Sequence, residues 1–245
     1  MLVLYRIYQF MIAAPLLLAA TVLTAVSVII FSIIGLGRWA GNTLPCYWAR
    51  LFCLLTWVNV TVEGRRNIEK KTSYIFVCNH QGAYDIFSIY GYLGHPFRWM
   101  MKASLGRIPL VGYSCKISGH IMVDNSSPSA TRRTMAVAER QLHGGMSIVV
   151  FPEGARTRDG LMHRFKRGAY LLAEEFSLPV VPITIDGSFA VMSRFKKLPV
   201  PGHIRLTIHR PIYAVDGSHN MSDVIEQSYN QIRNSLPESK SKDKD

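Results

Sequence analysis

The chain begins with one long apolar stretch and then settles into short apolar segments separated by polar ones. Residues 7–37 contain no charged side chain. Wound as one helix, that run would extend roughly 46 Å, more than the ~30 Å hydrocarbon core of a bilayer. It fits either one long tilted span or a helical hairpin broken around Pro15 or Gly35. It is too long for the apolar region of a secretory signal, and no small-residue cleavage site precedes Arg38. Residues 44–62 form a second apolar stretch, but Arg50 interrupts it and Trp48 and Trp57 lie within it. Amphipathic aromatics favour the headgroup level, so this stretch is predicted to be an interfacial helix and not a second span.

Beyond residue 63 the period changes. Short β-branched and aromatic runs predict strands at 73–78, 97–101, 120–123, 148–151, 180–185 and 204–209. Helices are predicted at 85–93, 129–143, 166–176 and 222–235, the second capped by Ser129 and stopped by Gly144-Gly145. This alternation predicts an α/β fold with a mixed, largely parallel sheet flanked by helices. The expected organisation is a membrane anchor at 1–43, the interfacial helix at 44–62, one α/β catalytic domain at 63–237 and a flexible tail at 238–245. The tail holds only charged residues and serine, which cannot form a core.

Charge agrees with a membrane partner. The formal net charge is +12, yet only Arg6 and Arg38 of the charged residues fall in the first forty positions. A basic domain tethered to a bilayer is drawn to anionic lipid by roughly 1 kcal/mol per well-placed Lys or Arg. Nucleic acid is the other usual partner of a basic chain, but no nucleic-acid-binding motif occurs, so none is expected. Arg38, Arg50, Arg65 and Arg66 follow the apolar run and place the domain on the cytoplasmic side of an inner membrane, with Arg6 as the counterweight. Cys46, Cys53, Cys78 and Cys115 show no metal-ligand spacing and read as free thiols of a reducing compartment.

The chemistry is concentrated at two strand ends. After the run at 73–78 comes Asn79-His80-Gln81-Gly82-Ala83-Tyr84-Asp85. On one continuous helix His80 and Asp85 would point about 140° apart. Through a strand–turn–helix corner at Gln81-Gly82 they can meet, with Asp85 near a helix N-terminus that favours a carboxylate. A carboxylate beside a histidine fixes its tautomer and stabilises the imidazolium, as a general base acting on an alcohol requires. Taken alone, the segment fits an N-capping aspartate and a polar strand end equally well. The second strand end runs Phe151-Pro152-Glu153-Gly154-Ala155-Arg156-Thr157-Arg158, followed by His163-Arg164-Phe165-Lys166-Arg167-Gly168. Clustered arginines beside a glycine turn suit phosphate, because guanidinium forks and turn amides both match its oxygens.

Together these segments resemble the glycerolipid acyltransferase family, which includes the bacterial 1-acylglycerol-3-phosphate (lysophosphatidic acid) acyltransferases. The family's Asn-His-x-x-x-x-Asp motif matches Asn79, His80 and Asp85, and its Phe-Pro-Glu-Gly-Thr-Arg-Ser motif matches residues 151–157, with Ala155 in place of Thr and Thr157 in place of Ser. A further motif is similar to Lys102, Ile108-Pro109-Leu110-Val111-Gly112 and Gly119-His120-Ile121-Met122-Val123-Asp124-Asn125; a last one resembles Leu178-Pro179-Val180-Val181-Pro182-Ile183. Asn125 stands where the family usually has an arginine; Arg132 and Arg133 follow it in the next predicted helix.

The resemblance implies direct acyl transfer from acyl-ACP or acyl-CoA to the free sn-2 hydroxyl of lysophosphatidic acid at the membrane surface. His80 and Asp85 would be catalytic, and Asn79, Lys102, Glu153, Gly154 and Arg156 would bind substrate. No metal or cofactor is called for, since a thioester is already activated. Asn125 keeps open another lysophospholipid or a lyso-aminolipid, such as lyso-ornithine lipid, as acceptor. A non-catalytic membrane lipid-binding protein is the alternative of a different class, against which the intact His80 and Asp85 stand.

Overall fold

In the computed structural model, residues 2–124, 127–142, 144–213 and 221–237 are described. Asn125 and the tail at 238–245 lie outside them.

The N-terminal run forms α1 (Leu2–Tyr8), a π-helical turn (Gln9–Ala13) and α2 (Ala14–Ile33), which continue as one helix over Leu2–Ile33. Pro15 sits in the first turn of α2 and does not break it, because the preceding turn is wound as π-helix. Tyr5, Gln9, Ala13, Leu17, Ala25 and Val28 are buried at near four-residue spacing, a single inward line. Outside that line the helix is apolar and exposed, as at Ile7, Met11, Leu18, Leu23 and Ile30. The break falls at Gly35, whose φ of +85° suits glycine, and α3 (Gly37–Leu55) returns antiparallel.

The helix expected over 44–62 is therefore shifted. It starts earlier and stops at Leu55, while Val58–Glu63 forms strand β1. Val58, Val60 and Val62 alternate with Asn59, Thr61 and Glu63, a period of two that the apolar tally of the whole stretch concealed.

The remaining strands are β2 (Ile75–Cys78), β3 (Phe97–Lys102), β4 (Ile121–Val123), β5 (Ser147–Val150), β6 (Val180–Asp186) and β7 (Gly202–Ile208). They form one sheet in the order β1-β7-β6-β2-β5-β3-β4, parallel except for the β6–β7 pair. The helices are α4 (Tyr84–Tyr92), α5 (Val111–Ile117), α6 (Pro128–Gln141), α7 (Leu171–Glu175), α8 (Ser188–Met192) and α9 (Met221–Ser235). Central β2 has both faces covered, as parallel strands require. Phe76 and Cys78 join a core with Cys53, Tyr84 and Ile89, while Ile75 and Val77 join one with Ile148, Val224 and Ile232.

The helical hairpin lies along this domain instead of standing away from it. The buried Arg98 of β3 donates to the Arg38 carbonyl (3.3 Å) and to Asn42 Oδ1 (2.7 Å), holding the start of α3. Arg50 Nε donates to the Gly91 carbonyl at 2.7 Å, and Tyr84 Oη donates to Thr56 Oγ1 at 2.7 Å just past the end of α3. The long helix is tied to the same end, since Tyr5 Oη donates to the Thr56 carbonyl (2.8 Å) and Tyr8 Oη to that of Leu55 (3.0 Å). Midway, Trp48 Nε1 donates to Thr21 Oγ1 at 2.9 Å.

Candidate active site

The site forms where β2 and β5 end side by side, so two distant segments share one edge of the sheet. Leaving β2, Asn79 is fully buried. Its Nδ2 donates to the Ile185 carbonyl (2.9 Å) and its Oδ1 accepts from the Ile185 N–H (2.7 Å), which pins the turn to β6. Both polar atoms of the Asn79 side chain are thus engaged by the Ile185 backbone, which fixes the strand end beside His80.

His80 turns back through Gln81-Gly82 and meets Asp85 at the start of α4, with Nδ1 2.7 Å from Asp85 Oδ2. The same Oδ2 accepts the backbone N–H of Gln81 (2.8 Å) and of Gly82 (2.9 Å), while Oδ1 is buried without a hydrogen-bond partner. Three donors on one oxygen lock the carboxylate, and it in turn holds the proton of His80 on Nδ1. Nε2 is left as the nitrogen able to accept a proton. The ring lies flat on Phe151, with centroids 3.9 Å apart and planes 10° apart, and Phe151 stacks on Trp99. Gly82 is required by its neighbours: a Cβ there would come within 2.5 Å of the Ser188 carbonyl oxygen of α8.

Glu153, at the end of β5, also serves the backbone. Its Oε1 accepts the His80 N–H (2.7 Å) and its Oε2 the His163 N–H (3.0 Å), while the Thr157 N–H donates to the His80 carbonyl (2.9 Å). His80 is thus gripped at both backbone polar groups by the Glu153–His163 loop. Burial pushes the Glu153 carboxyl up to about 8, and the two N–H donors work against that shift.

Glu153→Gln is expected to lower the melting temperature. A carboxamide sets its own N–H against one of the two donors, which costs about 1–3 kcal/mol, or roughly 2–10 °C. The folded chain keeps on Glu153 a proton that an unfolded glutamate, with its ordinary value of 4.5, releases. Wild-type stability therefore falls as pH rises between those two values and levels off above about 8. The variant lacks the group, so melting curves taken from about pH 5 to about pH 9 should show its deficit shrinking as pH rises.

A cavity of about 780 Å³ opens beside His80. Of the expected substrate-binding residues, Lys102, Gly154 and Arg156 line it, and Asn79 and Glu153 do not. Lys166 and Arg194 add two cations to its lining. Arg194 belongs to no motif, and only the fold brings it here. The apolar lining includes Ala25 and Val28 of α2, Trp48 of α3 and Trp99 of β3, so the long helix forms part of the cavity wall. Arg132 and Arg133 are exposed on α6, where Thr131, Thr134 and Met135 are the lining residues.

This arrangement has counterparts in known proteins. The crystal structure of the 1-acyl-sn-glycerophosphate acyltransferase PlsC from Thermotoga maritima superposes with a TM-score of 0.78 over 99% of this chain and 98% of that one. At 23% identity, that likeness establishes the fold. A 1-acyl-sn-glycerol-3-phosphate acyltransferase from Chlamydomonas reinhardtii is 30% identical over 180 residues, 73% of this chain and 53% of that protein. The chloroplastic LPAT1 of Arabidopsis thaliana is 28% identical over 194 residues, 78% of this chain and 52% of that protein. The chain spans about half the length of these curated relatives. The Acyltransferase family model matches residues 59–186, from β1 to the end of β6, and takes in both strand ends that build the site. On that match the chain belongs to the Acyltransferase family.

Proposed function

We propose that the chain transfers an acyl group from a thioester donor, acyl-ACP or acyl-CoA, to the free hydroxyl of 1-acyl-glycerol-3-phosphate, yielding phosphatidic acid. The observation that carries this reading is the His80–Asp85 pair, 2.7 Å apart, with His80 on the wall of a cavity lined by both cationic and apolar side chains. His80 Nε2 takes the hydroxyl proton as that oxygen attacks the thioester carbonyl, and the same proton passes to the departing thiolate. Asp85 stabilises the imidazolium in between. Lys102, Arg156, Lys166 and Arg194 face the acceptor's phosphate, and the apolar wall receives an acyl chain.

The acceptor and both acyl chains come from a bilayer, which the exposed apolar face of Leu2–Ile33 suits. The hairpin is tied to the domain near its tip through Arg98 and at its base through Tyr84, which suits a helix pair held in the membrane beside the site. The reading is tested by assaying purified protein against a panel of lysolipids with both donor types. Turnover of lysophosphatidic acid above all other lysolipids is expected; preference for a zwitterionic or amino-acid lysolipid would overturn it.

Arg156→Ala should weaken use of lysophosphatidic acid about ten- to a hundredfold or more in kcat/KM, since each charge-assisted contact contributes roughly 1.5–3 kcal/mol. Arg156→Lys should recover only part, because a point charge does not reproduce the guanidinium fork. Equal impairment on acceptors with and without a phosphate monoester would remove the phosphate role.

A further inference from the structure

At the start of the long helix, Tyr5, Tyr8 and Trp57 form an aromatic cluster, with ring centroids 4.8 Å apart for Tyr5–Trp57 and 5.4 Å for Tyr8–Trp57. Trp57 is 56% exposed, and the Arg6 guanidinium lies 5.9 Å from the Tyr5 ring centroid. Beside this cluster runs the loop Ser193-Arg194-Phe195-Lys196-Lys197-Leu198-Pro199. Arg6 Nη1 and Gln9 Nε2 each donate to the Pro199 carbonyl at 3.0 Å, and the Gly202 N–H donates to the Trp57 carbonyl at 3.3 Å. These bonds join the loop to the helix whose outer face is apolar.

The loop itself exposes Phe195 at 68%, between the exposed Arg194 and the exposed Lys196 and Lys197. Residues 187–213 contain no acidic side chain at all. A single exposed phenylalanine on a soluble surface would call for no explanation. This one is flanked by cations, and its loop is tied through Pro199 to the lipid-suited helix that carries the aromatic cluster. Aromatic rings and Lys or Arg at one level are the composition of a membrane headgroup belt. Arg194 also lines the catalytic cavity.

We infer that Tyr8, Trp57, Phe195, Lys196 and Lys197 form one rim that binds anionic headgroups, and that the lysolipid moves from the bilayer past Arg194 into the cavity. The inference rests on the membrane-surface reading given above. The apolar helix holds the protein in the leaflet, whereas the rim sets its tilt, so that the mouth of the cavity meets the headgroup plane. Arg194 then carries the anionic headgroup from surface to site.

Two measurements test it on the full chain. A genetically encoded environment-sensitive fluorophore is placed at Phe195 in one variant and at Leu23, on the outer face of α2, in another. Both are mixed with vesicles of phosphatidylglycerol and phosphatidylcholine that contain headgroup-level quencher lipids or deep quencher lipids. Position 195 should be quenched by the shallow set and position 23 by the deep set. If position 23 is quenched and position 195 is not, the rim is overturned and the helix reading stands. If neither is quenched, the membrane reading itself fails.

In the second measurement, Phe195→Ser with Lys196→Glu and Lys197→Glu should slow turnover of vesicle-embedded lysophosphatidic acid about tenfold or more. Turnover of a short-chain acceptor dissolved as monomers should be unchanged. Equal loss on both acceptors, or loss on neither, overturns the rim.

Discussion

His80→Ala is expected to abolish turnover, by about 10²–10⁴-fold in kcat, while the melting temperature stays near that of the wild type. The two halves of this expectation have separate causes. Nε2 is the nitrogen of the dyad left free to take a proton, so its loss removes the base outright. The fold depends instead on the backbone of residue 80, whose N–H is held by Glu153 and whose carbonyl is held by Thr157, and alanine keeps both. Asp85 Oδ2 still accepts from Gln81 and Gly82. The side chain loses its stacking on Phe151, a modest contribution near the cavity wall. Retention of a third of wild-type activity would sink the mechanism, whereas a large drop in melting temperature would refute the claim that residue 80 is held by its backbone.

Asp85→Asn should cost about 10²–10³-fold in kcat and also destabilise the fold. In many histidine–aspartate pairs such a change reverses the histidine tautomer, because the amide can turn its N–H toward the ring. Here two backbone N–H groups also point at Oδ2, so the carboxamide must keep its oxygen in that place. His80 then retains its proton on Nδ1, and the lost rate reflects only the missing charge that stabilised the imidazolium. The amide nitrogen occupies the buried position of Oδ1, which receives no hydrogen bond in the wild type, and the bonds at Oδ2 lose their charge-assisted character, which costs about 1–3 kcal/mol. Nitrogen NMR of the His80 ring distinguishes the cases. Nε2–H in the variant would show that the tautomer had reversed and that the carboxylate is not locked as described.

Most of the sheet was legible because buried parallel strands are continuous apolar runs with glycine or proline at their ends. β2, β3, β5 and β6 fall within two residues of their predicted positions. Strand β1 was hidden by the apolar α3 that precedes it, and α5 and α8 are too short to display a helical period. The dyad could be read because both members lie in one heptapeptide whose turn had to be tight. The backbone partners of Asn79 and Glu153 could not be read from the sequence. Their polar atoms satisfy backbone groups 106 and 73 residues away, and such partners exist only once the strands are side by side. Both are expected from the sequence to bind substrate, and in the structure their side chains brace the backbone around His80. Arg194 had the opposite fate, standing in an unremarked basic loop yet reaching the cavity wall.

The helix that exposes an apolar outer side lines the cavity on its inner side, through Thr21, Thr24, Ala25 and Val28. Attachment and chemical fidelity are therefore one property in this molecule. A general base beside an activated thioester can also activate water, so limiting solvent access favours transfer to the intended acceptor. With Leu2–Ile33 lifted away, the cavity becomes an open trough and the same dyad is positioned for thioester hydrolysis. On the proposed reading, detergents that strip or tilt this helix should raise thioester hydrolysis relative to acyl transfer before they unfold the protein.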